Sequence, residues 1–237
     1  MTPSHPQIKI CGLTDPEEAR ACADRGADAI GLVFYPPSPR HLQEDNAREI
    51  VAALPSRVVP VGVFVDPVWE YLARLVRCCG LRGVQLHGAE SPELAARVRD
   101  ELGVTAIKAL FAAKAPDLGQ AEIYPGMPLL VECGRGALPG GNAEIWDWGA
   151  AREVAAKYPT ILAGGLGVDN VGRAIAACRP DAVDVSSGVE TAPGRKDLVK
   201  AARFIAAVRQ SAVLYVDRPK PIAPIFGQSP NATLIDL

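Results

Sequence analysis

Lys9 and Cys11 are the first residues in this 237-residue chain whose spacing can do chemistry. In the run Ile8-Lys9-Ile10-Cys11, a strand's period of two puts Lys9 and Cys11 on one face and the two isoleucines on the other. A lysine beside a thiol stabilises the thiolate and lowers the thiol pKa from about 8.5. A thiolate serves as a base or a nucleophile. Taken alone, a buried and inert cysteine is the plainer reading. Glu132 follows three apolar residues, Leu129-Leu130-Val131. A carboxyl group so placed can be held protonated and act as a general acid, or it can close a salt bridge. Arg40 ends the proline-stiffened loop Tyr35-Pro36-Pro37-Ser38-Pro39-Arg40, where a guanidinium can grip a carboxylate bidentately. His87 can be a catalyst or a satisfied rim residue. Asp184 and Ser186 share one strand face, so Asp184 can hydrogen-bond a ligand. Trp146 and Trp148 read as packing rather than as a stacking platform.

These residues need elements to hold them. Short β-rich runs alternate with helical stretches along the chain: Ile8–Leu13, Ala29–Phe34, Val58–Val65, Val84–His87, Ala106–Leu110, Leu129–Glu132, Thr160–Ala163 and Ala182–Ser186. Helices are expected over Glu44–Ala53, Val68–Cys78, Ser91–Glu101, Asp147–Lys157, Val168–Cys178 and Lys196–Gln210, with a capped start at Thr14-Asp15-Pro16. Prolines and glycines weaken the helical pattern from Ala112 to Pro128. Eight strand–helix units predict an α/β fold, a single (β/α)8 TIM barrel over residues 1–211. An open doubly wound sheet would carry a glycine fingerprint after its first strand, where this chain has Cys11-Gly12-Leu13-Thr14. A proline-rich C-terminal tail, 212–237, extends beyond the barrel and can pack on it, swap to a partner or stay loose.

In such a barrel the active site lies at the C-terminal strand ends. Those ends read Cys11, Arg40, Asp66, His87, Glu132, Gly164-Gly165 and Ser186-Ser187-Gly188. The loops after strands seven and eight are the usual phosphate cradle of the fold, and Gly164, Gly165, Ser186, Ser187 and Gly188 fall there. Glycines admit the phosphate to backbone N–H groups and serines add donors. Tight strand-to-helix turns are the competing explanation.

Composition narrows the class. Half the residues are hydrophobic and the net charge is −2, which gives no footprint for nucleic acid or an acidic membrane. No apolar run is long enough to span a bilayer, and Met1–Lys9 has no signal-like apolar region. Six scattered cysteines fit neither a disulfide framework nor a zinc pattern, which points to a reducing, cytoplasmic setting and no metal. The Asn231-Ala232-Thr233 sequon has no use in that compartment.

The chain resembles the phosphoribosylanthranilate isomerase family of tryptophan biosynthesis. The resemblance rests on Ile8–Gly12, Phe34–Arg40, Gly83–Gly88, Asp147-Trp148, Ala163–Leu166 with Asn170-Val171, Asp184–Glu190, and Gly194 with Lys196-Asp197, in order along the chain. It implies an Amadori rearrangement of N-(5-phosphoribosyl)anthranilate to the 1-deoxyribulose 5-phosphate derivative, without a cofactor. It assigns Cys11 as base and Glu132 as acid, with Lys9, Arg40, His87 and Asp184 around the substrate. Arg40 would hold the anthranilate carboxylate and Asp184 the amine. Two departures stand out. The family has aspartate where this chain has Glu132, and its Gly-Gly-Ser/Thr-Gly loop reads Gly140-Gly141-Asn142-Ala143 here. They leave room for a different phosphorylated aminosugar, or for a phosphate-ligand binder without catalysis. The chain is expected to work as a monomer or homodimer on a small phosphorylated substrate.

Overall fold

A computed structural model of the chain describes residues 5–135, 144–215 and 220–227. Eight parallel strands close into a barrel, β1 (Gln7–Cys11), β2 (Ala29–Val33), β3 (Val59–Phe64), β4 (Gly83–Leu86), β5 (Thr105–Phe111), β6 (Leu129–Glu132), β7 (Thr160–Leu162) and β8 (Ala182–Val185), with β8 pairing back onto β1. The outer layer holds α1 (Pro16–Arg25), α2 (Glu44–Ala53), α3 (Trp69–Cys79), α4 (Pro92–Leu102), α5 (Arg152–Lys157), α6 (Val171–Cys178) and α7 (Leu198–Gln210). The predicted barrel is the observed one.

Local chemistry explains where each element starts and stops. Asp15 caps α1 by accepting from the N–H groups of Glu17 and Glu18, and Pro16 fits the first turn, which needs no N–H there. Ser91 does the same for α4 and Asp197 for α7. The first strand ends at Cys11, two residues before the expected end, because Gly12 turns the chain at φ 77°. Helix α6 starts three residues later than expected. Asn170 ties the preceding turn, accepting from the Gly167 N–H and donating to the Gly165 carbonyl. Between β5 and β6 there is a single 3-10 turn, Leu118–Ile123, closed by a capping box between Asp117 and Gln120.

Two apolar layers follow from strand alternation. Ile8, Ile10, Ile30, Leu32, Ala106 and Leu110 face the helices. Ala29, Val61, Ile107, Ala109, Leu130 and Ile161 fill the barrel. The described part of the tail belongs to the second layer: Ile225 and Phe226 are buried with these interior residues. Gln7 explains how the tail is held. Its side-chain amide donates to the Phe226 carbonyl and accepts from the Phe226 N–H, at 2.8 and 2.9 Å. Residues 220–227 thus cover the N-terminal end of the barrel, away from the site. Among the described residues no helix is long and apolar enough to cross a membrane.

Candidate active site

The C-terminal end of the barrel holds an open cleft. On the β1 side, the inner face brings Lys9 and Cys11 together, and register places Lys9 beside Asp184 of β8. The Lys9 ammonium is fully buried and donates to Asp184 Oδ2 at 2.8 Å. Asp184 Oδ1 is buried and has no partner among the described residues, and Asp184 lines the cleft. Burial works against a charged Lys9, yet Asp184 and Cys11 outweigh it and hold the amine above its usual value. The thiol does not behave as the sequence suggests. Burial raises its pKa, Lys9 and Lys196 only partly offset that, and Asp184 adds to it. Burial is the main cause; Lys9 does pull the thiol down, but it shares its charge with Asp184. Gly31 on β2 sits opposite Cys11 in the register, and a Cβ there would come 2.6 Å from Cys11 Sγ. The thiol therefore occupies the space left by a missing side chain.

Glu132 at the end of β6 lines the cleft and meets His87, with Nε2 3.3 Å from Glu132 Oε1. The other His87 nitrogen, Nδ1, lies 2.8 Å from the Gln85 side-chain amide. Phe111 packs edge-on to the imidazole.

The loops after β7 and β8 form the third part. Gly164 and Gly165 have φ 86° and 65°, and a Cβ at either would run into Trp146 or the Glu144 carbonyl. Trp146 donates to the Ala163 carbonyl at 3.0 Å and Trp148 to that of Gly164 at 3.1 Å. The indoles are packing residues with a purpose, since they take up the loop's carbonyls. The N–H groups of Gly164 and Gly165 donate to nothing else among the described residues. Ser186 and Ser187 complete this wall. Such an arrangement of free donors suits an anion.

Arg40 faces the cleft from the loop after β2, beside Val33, Val63 and Tyr35. Its guanidinium is nearly buried and forks onto Glu190, Nε to Oε1 at 2.9 Å and Nη2 to Oε2 at 2.6 Å. Lys196 Nζ donates to the same Oε1 at 2.7 Å. Burial alone would raise the Glu190 carboxyl, but the two cations hold it below the usual range. No group of three or more His, Cys, Asp or Glu side chains is placed to hold a metal among the described residues.

Comparison with known proteins fits this geometry. The family model described as N-(5'phosphoribosyl)anthranilate (PRA) isomerase matches residues 8–207. The chain belongs to this family. An N-(5'-phosphoribosyl)anthranilate isomerase of Desulfatibacillum aliphaticivorans is 50% identical over 212 residues, 90% of this chain and 97% of that protein. One of Acidithiobacillus ferrooxidans is 47% identical over 86% of this chain and 97% of its own length. The crystal structure of phosphoribosyl anthranilate isomerase from Thermotoga maritima superposes with a TM-score of 0.80 at 36% identity, covering 86% of this chain and 99% of that one. Another crystal structure holds a phosphoribosyl anthranilate isomerase in complex with reduced 1-(o-carboxyphenylamino)-1-deoxyribulose 5-phosphate. It is 36% identical, with a TM-score of 0.77, and covers 86% of this chain and 99% of that chain.

Within this phosphoribosylanthranilate isomerase fold, Cys11, Arg40, His87, Glu132, Gly164, Gly165, Asp184, Ser186 and Ser187 all line one cleft. Lys9 lies beneath it, in contact with Asp184. Gly188 is also set back, where a Cβ would come 1.9 Å from the Leu166 carbonyl oxygen. Asp66 faces elsewhere and accepts from the Ala89 N–H. The departure at residues 140–143 lies outside the described residues. Sequence reading missed Gln85, Gly31, Glu190 and Lys196 as site residues. Glu190 and Lys196 lie in motifs that carried the resemblance, but nothing in their spacing says that they meet Arg40.

Proposed function

We propose that this chain converts N-(5-phosphoribosyl)anthranilate to 1-(2-carboxyphenylamino)-1-deoxyribulose 5-phosphate by an Amadori rearrangement, with no cofactor. The observation that carries the reading is the cleft's division into three parts. An anion cradle, an apolar wall with a guanidinium, and a thiol with a carboxyl group all line it. Gly164, Gly165, Ser186 and Ser187 would take the phosphate. Gly188 would shape that loop from behind. Val33, Val63 and Tyr35 would take the aromatic ring, and Arg40 its carboxylate.

In this scheme Glu132, supported by His87, gives a proton to the ribose ring oxygen. The bond from C1 to that oxygen breaks as the anthranilate nitrogen's lone pair forms the C1=N bond. Cys11, as thiolate, takes the C2 proton, and the electron pair moves to form an enolamine. Proton return at C1 with ketonisation at C2 gives the product. The unpartnered Asp184 Oδ1 would accept from the substrate's N–H, with Lys9 holding Asp184 by its other oxygen. The substrate's own nitrogen is the electron sink. A glutamate in place of the family's aspartate moves the carboxyl by about one bond length, a displacement that backbone adjustment must absorb, since about 1 Å of misplacement costs on the order of a hundredfold. We place the protein in the cytoplasm as a monomer or homodimer acting on this small phosphorylated substrate, away from membranes and nucleic acid.

The deciding experiment is turnover of freshly generated phosphoribosylanthranilate, followed by fluorescence, for the wild-type chain and Glu132→Gln. Wild-type turnover that Glu132→Gln removes is the expected result. Binding of a phosphorylated analogue without any wild-type turnover would leave a binder, and the catalytic reading would fall.

A further inference from the structure

The structure gives Glu190 and Lys196 a position that the proposed chemistry does not use. We propose that Glu190, anchored by Lys196, is a positioning residue that makes Arg40 selective for a ligand bearing a carboxylate on its aromatic ring. This inference rests on the substrate reading above and extends it to what aims the guanidinium.

The argument begins with which edge of Arg40 is occupied. A guanidinium has a side-on edge, Nε with Nη2, and an end-on edge, Nη1 with Nη2. Glu190 takes the side-on edge with both oxygens. The end-on edge has no partner among the described residues, and Arg40 lines the cleft. A carboxylate entering from the apolar wall of Val33, Val63 and Tyr35 therefore meets two N–H donors already set in a plane.

Three restraints keep that plane fixed. Glu190 Oε1 also accepts from Lys196 Nζ at 2.7 Å and the Gly194 N–H at 3.3 Å, so the carboxylate cannot follow Arg40 if it moves. Lys196 Nζ is held in turn by the Ser186 carbonyl at 3.2 Å. The Arg40 stem crosses Gly12 so closely that a Cβ there would lie 2.4 Å from Cδ. Charge points the same way. Arg40 and Lys196 share one carboxylate, and although burial pulls Lys196 below its usual pKa, the Glu190 fork keeps Arg40 above its own, so the guanidinium is the charge that meets an incoming anion.

The test uses competitive inhibition by two analogues, reduced 1-(o-carboxyphenylamino)-1-deoxyribulose 5-phosphate and the same compound without the ring carboxyl. The wild-type chain should favour the carboxylated analogue by about a hundredfold, the value of a well-formed charge-assisted pair. Glu190→Gln should narrow that preference about tenfold or more by loosening the fork, and leave the inhibition constant of the decarboxylated analogue within about twofold. Because Glu190→Gln removes a buried charge and can fail to fold, Glu190→Asp is measured beside it. It keeps the charge but draws Arg40 back, and should also narrow the preference. Glu190 has no positioning role if both variants that fold keep the wild-type preference, or if the two analogues weaken equally. A wild-type chain with no preference would overturn the substrate reading itself, before any variant is considered.

Discussion

Two buried lysines, Lys9 and Lys108, each pair with a carboxylate at 2.8 Å, and they end up doing different things. Lys9 points into the barrel from β1. Its partner Asp184 keeps one oxygen unpartnered and reaches the cleft. Lys108 stands on β5 between two residues of the outer layer, Ala106 and Leu110 being two positions away on either side. There every acceptor is used. Lys108 donates to the Leu86 and Gly88 carbonyls and to Glu90 Oε2, while Glu90 Oε1 accepts from the N–H groups of Asp66 and Gly88. Burial pulls Lys108 below its usual pKa, whereas Asp184 and Cys11 keep Lys9 above its own. A closed buried network has nothing left to offer a ligand, so its effect is to pin the loop around His87. A network with one open acceptor is complete only when something binds.

The largest effect that would sharpen this contrast is at Cys11. Cys11→Ala should lower kcat by about a thousandfold or more, the scale of removing a general base, with little change in melting temperature. Near-normal turnover would mean that another group takes the proton. Lys108→Met should do the reverse. Stripping one partner from a buried pair costs about 3–5 kcal/mol of stability, while kcat per folded molecule should fall less than about tenfold. Chemical denaturation with activity measured in the folded baseline separates the two; a stable but inactive Lys108→Met would place this clamp in the chemistry. Asp184→Asn should cost about ten- to a hundredfold in kcat/KM, because the open acceptor loses its charge. An unchanged kcat/KM for this variant would remove Asp184 from the substrate's contacts and erase the distinction between the two lysines.

The sequence carried the barrel because the signal is repeated: eight apolar runs, most bounded by caps or glycines, each repeat the same instruction. It also carried the positions at strand ends, since the fold itself dictates where those residues gather. Partners across the barrel were not legible. Arg40 and Glu190 are 150 residues apart, and only the closed sheet with its loops brings them together. Gly31 reads as an ordinary strand glycine until register sets it against Cys11. The net shift of the thiol was not legible either. Adjacent spacing displayed Lys9, which does pull the thiol down, while the burial that outweighs it and the carboxylate that adds to it exist only in the closed barrel.

The smallest effect is a pH dependence that follows from that correction. In the proposed scheme Cys11 would act as a base only after losing its proton, and burial places that loss above the ordinary thiol range. That scheme's kcat/KM also needs Glu132 protonated, so it reports acid and base together, and the thiol is read by its own alkylation. Reaction of Cys11 with iodoacetamide should still be climbing from pH 7 to 9, where an ordinary thiol would begin to level off at about 8.5. At neutral pH it should run about tenfold more slowly than at an exposed cysteine, with the other cysteines controlled by Cys11→Ala. A plateau below pH 7 would mean that Lys9 outweighs burial at the thiol, and that the buried pair on β1 and β8 is shared between base and substrate from the outset.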